Sequence, residues 1–355
     1  MKWLEINRCD LIHNIKIIKE HCAPAKIIAV LKGNAYGLDA VQFGKILLEN
    51  EIDTFAVSEL SEALALRNAG FENKILLLTP PNNFDDSKQI IDNDITATVS
   101  NYENAELLNK IGLPVNVHIK IDTGFGRYGF LNNQLSDKLL NYKNINYEGI
   151  FSHFSNSFGK DDKYTKKQFD KFTEALEILK NIGISPKIRH ISNSCAALRY
   201  DYAKLDAVRI GSAFLGRLPI ENKIGLKKIA DLKCSISEIR QLPKGSFVGY
   251  ANTFVTKKDT KTAIITVGYK DGYGVQKSND IFRFKDILRY IFNDLKSLNK
   301  GIYVTINNKK YPVIGRISMH NIVIDITGSD IKPDDIAVME CNPILLKSEI
   351  KRIYI

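Results

Sequence analysis

The sequence predicts an α/β fold: a TIM-type (β/α)8 barrel followed by a mainly β C-terminal domain. Three observations carry this. Up to about residue 212, eight short apolar runs alternate with helical segments. The strand–helix unit repeats over about 210 residues, near the short end of the barrel's range. Beyond Lys227 the pattern changes to the period-two alternation of half-buried strands. Residues 1–224 are therefore expected to form the barrel and 225–355 the β domain, with a helix inserted near 280–296. An open doubly wound sheet is the structural alternative for the first part.

The candidate barrel strands are Ile27–Leu31, Thr54–Val57, Ile75–Leu78, Thr96–Val99, Val115–Ile121, Tyr147–His153, Ile188–Ser192 and Ala207–Ile210. Between them, Ser58–Ala69 is rich in Glu, Leu and Ala and stops at Gly70, a C-terminal cap. Thr165-x-x-Gln168 fits a capping box, after which Phe169, Phe172, Leu176 and Leu179 share one helical face. In the second part Leu232, Cys234 and Ile236 alternate with polar residues, as do Ala263, Ile265 and Val267. Strands are also expected over Ile302–Ile306, Val313–Met319 and Ile322–Ile326, with Asn307-Asn308 as a hairpin turn. Ile281, Phe284, Leu288, Ile291 and Leu295 fit a helical stripe within Asp280–Lys296.

Composition bounds the function. The chain has 355 residues, 44% hydrophobic and 25% charged, which is ordinary for a globular protein with a sizeable core. The net charge of +10 permits an anionic partner, but the Lys and Arg are scattered and no aromatic-studded basic motif is present. Nucleic acid is not expected as a partner. Five widely spaced cysteines form no C-x-x-C pair, so neither a disulfide framework nor a metal site is suggested. The stretch MKWLEINRCDLIHNIK lacks an apolar signal core, and no run approaches the roughly 18 apolar residues of a membrane span. A cytoplasmic location without membrane contact is expected.

In a barrel, chemistry collects at the C-terminal ends of the strands. Lys32 follows the first apolar run directly and is trailed by Gly33-Asn34-Ala35-Tyr36-Gly37. A lysine there has its stem in low dielectric, which frees neutral amine able to attack a carbonyl. A lysine that merely snorkels out of a strand end has the same sequence. The fifth run leads into Asp122-Thr123-Gly124-Phe125-Gly126-Arg127, the sixth ends at His153, and the seventh carries His190 with Asn193-Ser194 behind it. The eighth ends in Arg209-Ile210-Gly211-Ser212, where backbone N–H groups at a helix start offer an anion site. Taken singly, the histidines read as core residues and the arginines as surface or ion-pair residues. Their shared location gives them weight: a carbonyl-binding lysine beside a phosphate site suggests pyridoxal phosphate.

At this point the sequence closely resembles the alanine racemase family, pyridoxal-phosphate enzymes built as a barrel plus a β domain. The matching segments are Ala29–Gly37, Lys120–Gly129, His153-Phe154, His190 with Asn193-Ser194, and Val208–Gly211. In the second domain they are Gly249–Thr253, Gly268–Tyr273 and Gly315–Met319. The resemblance implies racemisation of L- and D-alanine by two-base α-proton transfer, with D-alanine supplied to peptidoglycan. It implies that Lys32 holds pyridoxal 5′-phosphate and is one base. The other would be Tyr250, contributed by the second subunit of a homodimer with shared active sites. A phenol, with a free pKa of about 10, needs help to act as a base near neutrality; by the same resemblance His153, Arg209 and His190 form its hydrogen-bonded chain. Tyr36, Ser194, Gly211, Ser212 and Tyr354 would hold the phosphate, Arg127 and the Met319 backbone the substrate carboxylate, and Lys120 would be carbamylated. His320 departs from the family, which usually has Asp there. A broader-specificity racemase acting on serine or other amino acids and a fold-related pyridoxal-phosphate amino-acid decarboxylase are the alternative activities.

Overall fold

The computed structural model describes every residue of the chain except 281, 298 and 299. It divides into two compact units, one of Cys9–Ile229 and one of Met1–Arg8 with Ala230–Ile355.

Strand β1 (Lys2–Ile6) opens the chain. The first unit then contains eight strands: β2 (Lys26–Val30), β3 (Thr54–Val57), β4 (Lys74–Leu77), β5 (Ala97–Val99), β6 (Val115–Lys120), β7 (Ile145–Phe151), β8 (Ile188–His190) and β9 (Ala207–Ile210). They are hydrogen-bonded in two parallel sets, β4-β3-β2-β9 and β5-β6-β7-β8. A parallel bridge between Leu76 and Thr96 joins the sets on one side. Bonds from Arg209 N to Ser192 O (3.0 Å) and from Asp206 N to Arg189 O (3.2 Å) join them on the other. The sheet is closed, as the barrel reading requires. Each strand is short and buried because helices cover its outer face while side chains fill the inside. Ile28, Val30, Ala56, Leu76 and Ala207 form a buried apolar cluster with Leu78 and Ile188 against it.

One local expectation in this unit is corrected. Helix Lys163–Asn181 begins before Thr165, so Thr165 and Gln168 are not a capping box. Both are buried in the helix, and Gln168 instead bonds Ser155 N (2.9 Å) and His153 O (3.2 Å). Polar residues three apart satisfy a cap rule and a buried helix face equally well, and packing chose the face.

In the second unit β10 (Ala230–Leu242), a 13-residue strand, is shared by several neighbours. β11 (Phe247–Val248) and β12 (Phe254–Val255) make a small ribbon. β13 (Thr260–Ile265), β14 (Tyr303–Ile306), β15 (Lys309–Ile314), β16 (Ile322–Asp325) and β17 (Ile336–Met339) complete a ring in the order β13-β16-β15-β14-β17-β10, closed by β10–β13 pairing. β1 pairs antiparallel with β10 and parallel with β18 (Lys351–Tyr354). The first residues therefore belong with the β unit, not with the barrel as the sequence boundary had them. Leu4 and Ile6 are fully buried there, an alternation too short to separate from the helix that follows it. Asn307 and Asn308 both take positive φ (49° and 63°), the two-residue hairpin geometry. The strand expected over Val313–Met319 ends at Ile314, because Gly315 at φ 71° turns the chain away. The inserted helix runs Phe284–Ser297. Ile281 of its expected stripe lies outside the described residues, and Phe284, Leu288, Ile291 and Leu295 are exposed. Among the described residues no helix is long and apolar enough to cross a membrane.

Candidate active site

Leu31 and Lys32 follow β2 and lead into an unusual turn. Gly33, Asn34, Ala35 and Tyr36 all take left-handed φ (63°, 53°, 54° and 56°). Left-handed backbone is costly for residues with a Cβ, so neighbours must hold it. Glu62 does part of this. One carboxylate oxygen accepts from Gly33 N (2.5 Å) and Asn34 N (3.4 Å), the other from Ser58 N (3.0 Å) and Glu59 N (3.1 Å). The Asn34 side chain accepts from Ala40 N at 2.7 Å and ties the far end.

The turn delivers Lys32 and Tyr36 to a cavity of about 540 Å³, also lined by Lys120, Arg127, His153, Ser194, Arg209, Gly211 and Ser212. The volume suits a small ligand. Burial, then the cations Arg127 and Arg209, lower the Lys32 pKa and so favour neutral amine. Burial raises the Tyr36 phenol to about 12, so it remains a donor. A Cβ on residue 211 would strike the Tyr36 hydroxyl, so only glycine lets that ring close on β9. Ser194 accepts from Gly211 N at 3.0 Å, which fixes the two loops against each other.

Arg209 is 4% exposed, and among the described residues its hydrogen bonds go to neutral acceptors. One nitrogen donates to His190 Nδ1 (2.7 Å) and His190 O (3.2 Å). The other donates to Ser152 O (2.7 Å), His153 Nδ1 (3.1 Å) and Ile191 O (3.1 Å). Burial and Arg127 lower its pKa to about 9, so the guanidinium is still charged at neutral pH. Burial first, then the Arg209 charge, holds both His153 and His190 well below the usual imidazole value. Both rings are neutral in this surrounding.

Lys120 ends β6 and is 6% exposed, its ammonium 4.3 Å from the Phe151 ring centre. Burial, Arg209 and Arg127 drive its pKa far below that of a free lysine. The loop after it is folded by Asp122, which accepts from Gly124 N (2.9 Å), Phe125 N (2.8 Å) and Gly126 N (3.0 Å). Burial alone would raise the Asp122 pKa, but those N–H groups and Lys120 bring it below the usual value. The loop presents Arg127 with its guanidinium 4.4 Å from the Phe125 ring centre.

Residues 6–219 match the family model described as alanine racemase, N-terminal domain, and 229–346 that described as alanine racemase, C-terminal domain. The chain belongs to the alanine racemase family. It is 35% identical over 338 residues to alanine racemase 1 of Caldanaerobacter subterraneus subsp. tengcongensis, covering 91% of this chain and 81% of that one. It is 35% identical over 352 residues to the alanine racemase of Clostridium tetani, covering 95% and 85%. Among solved structures, the alanine racemase of Clostridium difficile 630 superposes with a TM-score of 0.87 at 27% identity, covering 100% of this chain and 95% of that chain. The alanine racemase of Bacillus anthracis with bound L-Ala-P gives a TM-score of 0.82 at 28% identity, with the same coverage.

The cavity fits the pyridoxal 5′-phosphate that the alanine racemase resemblance implies. It offers an amine for the aldehyde, hydroxyls of Tyr36, Ser194 and Ser212 for the phosphate, and the Arg209 guanidinium for the ring. Of the remaining residues expected in the site, His190 is buried and does not line the cavity; it touches Arg209 instead. Tyr250, Met319 and Tyr354 are in the β unit. Tyr250 is 69% and Met319 47% exposed, while Tyr354 is half-buried on β18. The loops of Tyr250 and Met319 converge: Gly249 lies against the Gly315-Arg316 backbone, and Lys270 N donates to Met319 O at 3.1 Å. Sequence reasoning passed over Glu62 and took Gln168 only for part of a helix cap. Glu59 and Glu62 carry the spacing of a capping box, which was the one available signal.

Proposed function

We propose that this chain interconverts L- and D-alanine with pyridoxal 5′-phosphate, moving the α-proton between opposite faces of the substrate. The observation that supports it most is Lys32, its pKa lowered, sharing one cavity with Tyr36, Ser194, Arg209, Gly211 and Ser212. When bound, the cofactor supplies an electron sink that acidifies the α-carbon proton.

Every other task falls to the chain's own residues. Lys32 holds the cofactor and exchanges a proton on one face. The partner subunit's Tyr250, in a head-to-tail homodimer, exchanges it on the other. Two groups are needed because one group tends to return the proton to the face it came from. Arg127 and the Met319 backbone bind the substrate carboxylate; Tyr36, Ser194, Gly211, Ser212 and Tyr354 bind the phosphate. Arg209 would hold the ring nitrogen, where a fixed cation disfavours protonation and keeps the sink weak. A weak sink would favour return of the proton to the α-carbon over transamination. His153 and His190 hold that guanidinium from two sides. Lys120 is carbamylated in this reading: a buried ammonium near Arg127 and Arg209 is disfavoured, whereas a carbamate orients Arg127. An intact mass without the carbamate increment removes that part. The reaction is placed in the cytoplasm, where it supplies D-alanine for peptidoglycan.

The test is racemisation of alanine and of serine, followed by chiral chromatography, with and without added pyridoxal 5′-phosphate. Cofactor-dependent conversion of alanine is expected. Conversion of neither amino acid refutes the activity, and equal rates on serine refute alanine as the preferred substrate.

A further inference from the structure

Behind His190 the barrel interior carries a polar chain whose further members the reaction above does not use. His190 Nε2 lies 2.8 Å from His118 Nδ1, and His118 Nε2 lies 3.8 Å from Glu148 Oε2. Among the described residues, His118 Nε2 and Glu148 Oε2 are buried without a hydrogen-bond partner, and they face each other. Glu148 Oε1 is held by the Lys74 ammonium at the start of β4.

Two backbone features make room for the chain. Residue 149 stands opposite His118 in the β6–β7 register, and a Cβ there would lie 2.5 Å from the His118 ring. Glycine leaves the imidazole a place in the barrel core. The register also shifts between Val117 and His118, so β7 carries one extra residue at this point. Bulges of this kind re-aim side chains near sites, and here Glu148 reaches both His118 and Lys74.

Donor and acceptor roles follow without ambiguity. A guanidinium only donates, so His190 Nδ1 accepts and its proton is on Nε2. That proton points to His118 Nδ1, which places the His118 proton on Nε2, aimed at Glu148. The chain is ordered from end to end and finishes on a carboxylate.

We propose that Glu148, through His118 and His190, is the remote countercharge of Arg209, so that Glu148 and His118 are positioning residues of the cavity. Arg209 is buried with neutral acceptors around it, and the Arg127 guanidinium adds a second positive charge. Polarised imidazoles pass part of the Glu148 charge to the guanidinium across the core. His118 and Lys74 are the groups facing Glu148, and they favour its ionised form. This role for Arg209 rests on the cofactor reading above; the order of the chain does not.

The experiment has two arms. In the first, 15N NMR of histidine-labelled protein without cofactor reads the tautomers. Both His118 and His190 are expected neutral with the proton on Nε2; an imidazolium, or a proton on Nδ1 of either ring, overturns the chain whatever the protein catalyses. In the second, Glu148→Gln, His118→Phe and His118→Asn are loaded with pyridoxal 5′-phosphate and its visible spectrum is titrated with pH. The amide of His118→Asn can still accept from His190 and donate toward Glu148. Glu148→Gln and His118→Phe are expected to move the titration midpoint to lower pH and to reduce kcat about tenfold, about 1.4 kcal/mol, at unchanged KM. His118→Asn is expected to recover most of both effects. An unmoved midpoint in a folded Glu148→Gln variant overturns the countercharge role. A wild type that never takes up the cofactor refutes the functional reading instead, and leaves the first arm standing.

Discussion

Replacing Glu62 by Ala removes one acceptor from four backbone N–H groups, two of them in the turn that carries Lys32. The left-handed stretch has three residues with a Cβ, Asn34, Ala35 and Tyr36. At about 1–2 kcal/mol each, their conformation costs about 3–6 kcal/mol. Hydrogen bonds to a charged acceptor contribute about 1.5–3 kcal/mol each when buried, and a half-exposed carboxylate such as Glu62 gives the lower end. The two bonds to Gly33 and Asn34 therefore offset about 2–3 kcal/mol, a large part of the strain. The Leu31 and Asn34 acceptors provide the rest, through Ala35 N (2.6 Å) and Ala40 N (2.7 Å). With Glu62→Ala the turn is expected to sample other conformations and to release Lys32 from its place. Affinity for pyridoxal 5′-phosphate should fall about 10- to 100-fold, since 1.4 kcal/mol is a factor of ten. Glu62→Gln retains one acceptor oxygen and should lose less. The assay is a visible-absorbance titration with the cofactor, alongside urea unfolding to measure the stability change. If Glu62→Ala unfolds at lower urea but binds the cofactor as tightly as wild type, the turn supports itself and Glu62 does not position Lys32.

Three further outcomes are expected. His118, His153 and His190 are held below the usual imidazole value by burial first, so between their folded pKa and about 6.5 the unfolded chain binds more protons. Stability should fall as pH drops below about 6.5, by up to about 1.4 kcal/mol per pH unit for each ring; Lys120 has the same sign, but its slope begins near pH 10.5, so a new slope at 6.5 in urea midpoints isolates the imidazoles. Glu148, held at about 2 by the His118 N–H and the Lys74 ammonium, contributes stability that is lost only as pH falls from about 4.3 toward 2. A flat stability profile from pH 7 to 5 contradicts the neutral-ring assignment. Gly211→Ala should displace the Tyr36 ring and weaken cofactor binding by more than about tenfold (about 1.4 kcal/mol), measured by the same absorbance titration. Tyr250→Phe should slow α-deuterium exchange from one alanine enantiomer far more than from the other, followed by NMR in deuterated solvent; equal, small losses place the second base elsewhere.

Most of the barrel is legible in the chain because parallel strands buried on both faces read as unbroken apolar runs. Thr54–Val57 and Ala207–Ile210 have the bounds that the sequence suggests, and the others differ by a few residues at their ends. The motif residues Lys32, Arg127, His153 and Arg209 are legible for a related reason: they stand at the ends of such runs, where a barrel gathers its chemistry. The β unit is less legible. β1, β17 and β18 are short, β1 and β18 carry charges, and the partners of all three lie far away in sequence. The helix stripe at Phe284–Leu295 shows the converse, since periodicity reports a common face and not whether anything covers it.

What the sequence determined by itself was the order of strands, the change of grammar near residue 227, and that Lys32, Arg127, His153 and Arg209 gather at one cavity. Tertiary structure decided which groups support them. Glu62 reaches back to Gly33 across a separate strand–helix unit, and Glu148 reaches the Arg209 network only through a bulge and a glycine on β7. The physical reason is range. Apolar periodicity and turn chemistry act between near neighbours in the chain, whereas hydrogen bonds and charges in a closed barrel link residues that only closure brings within a few ångströms.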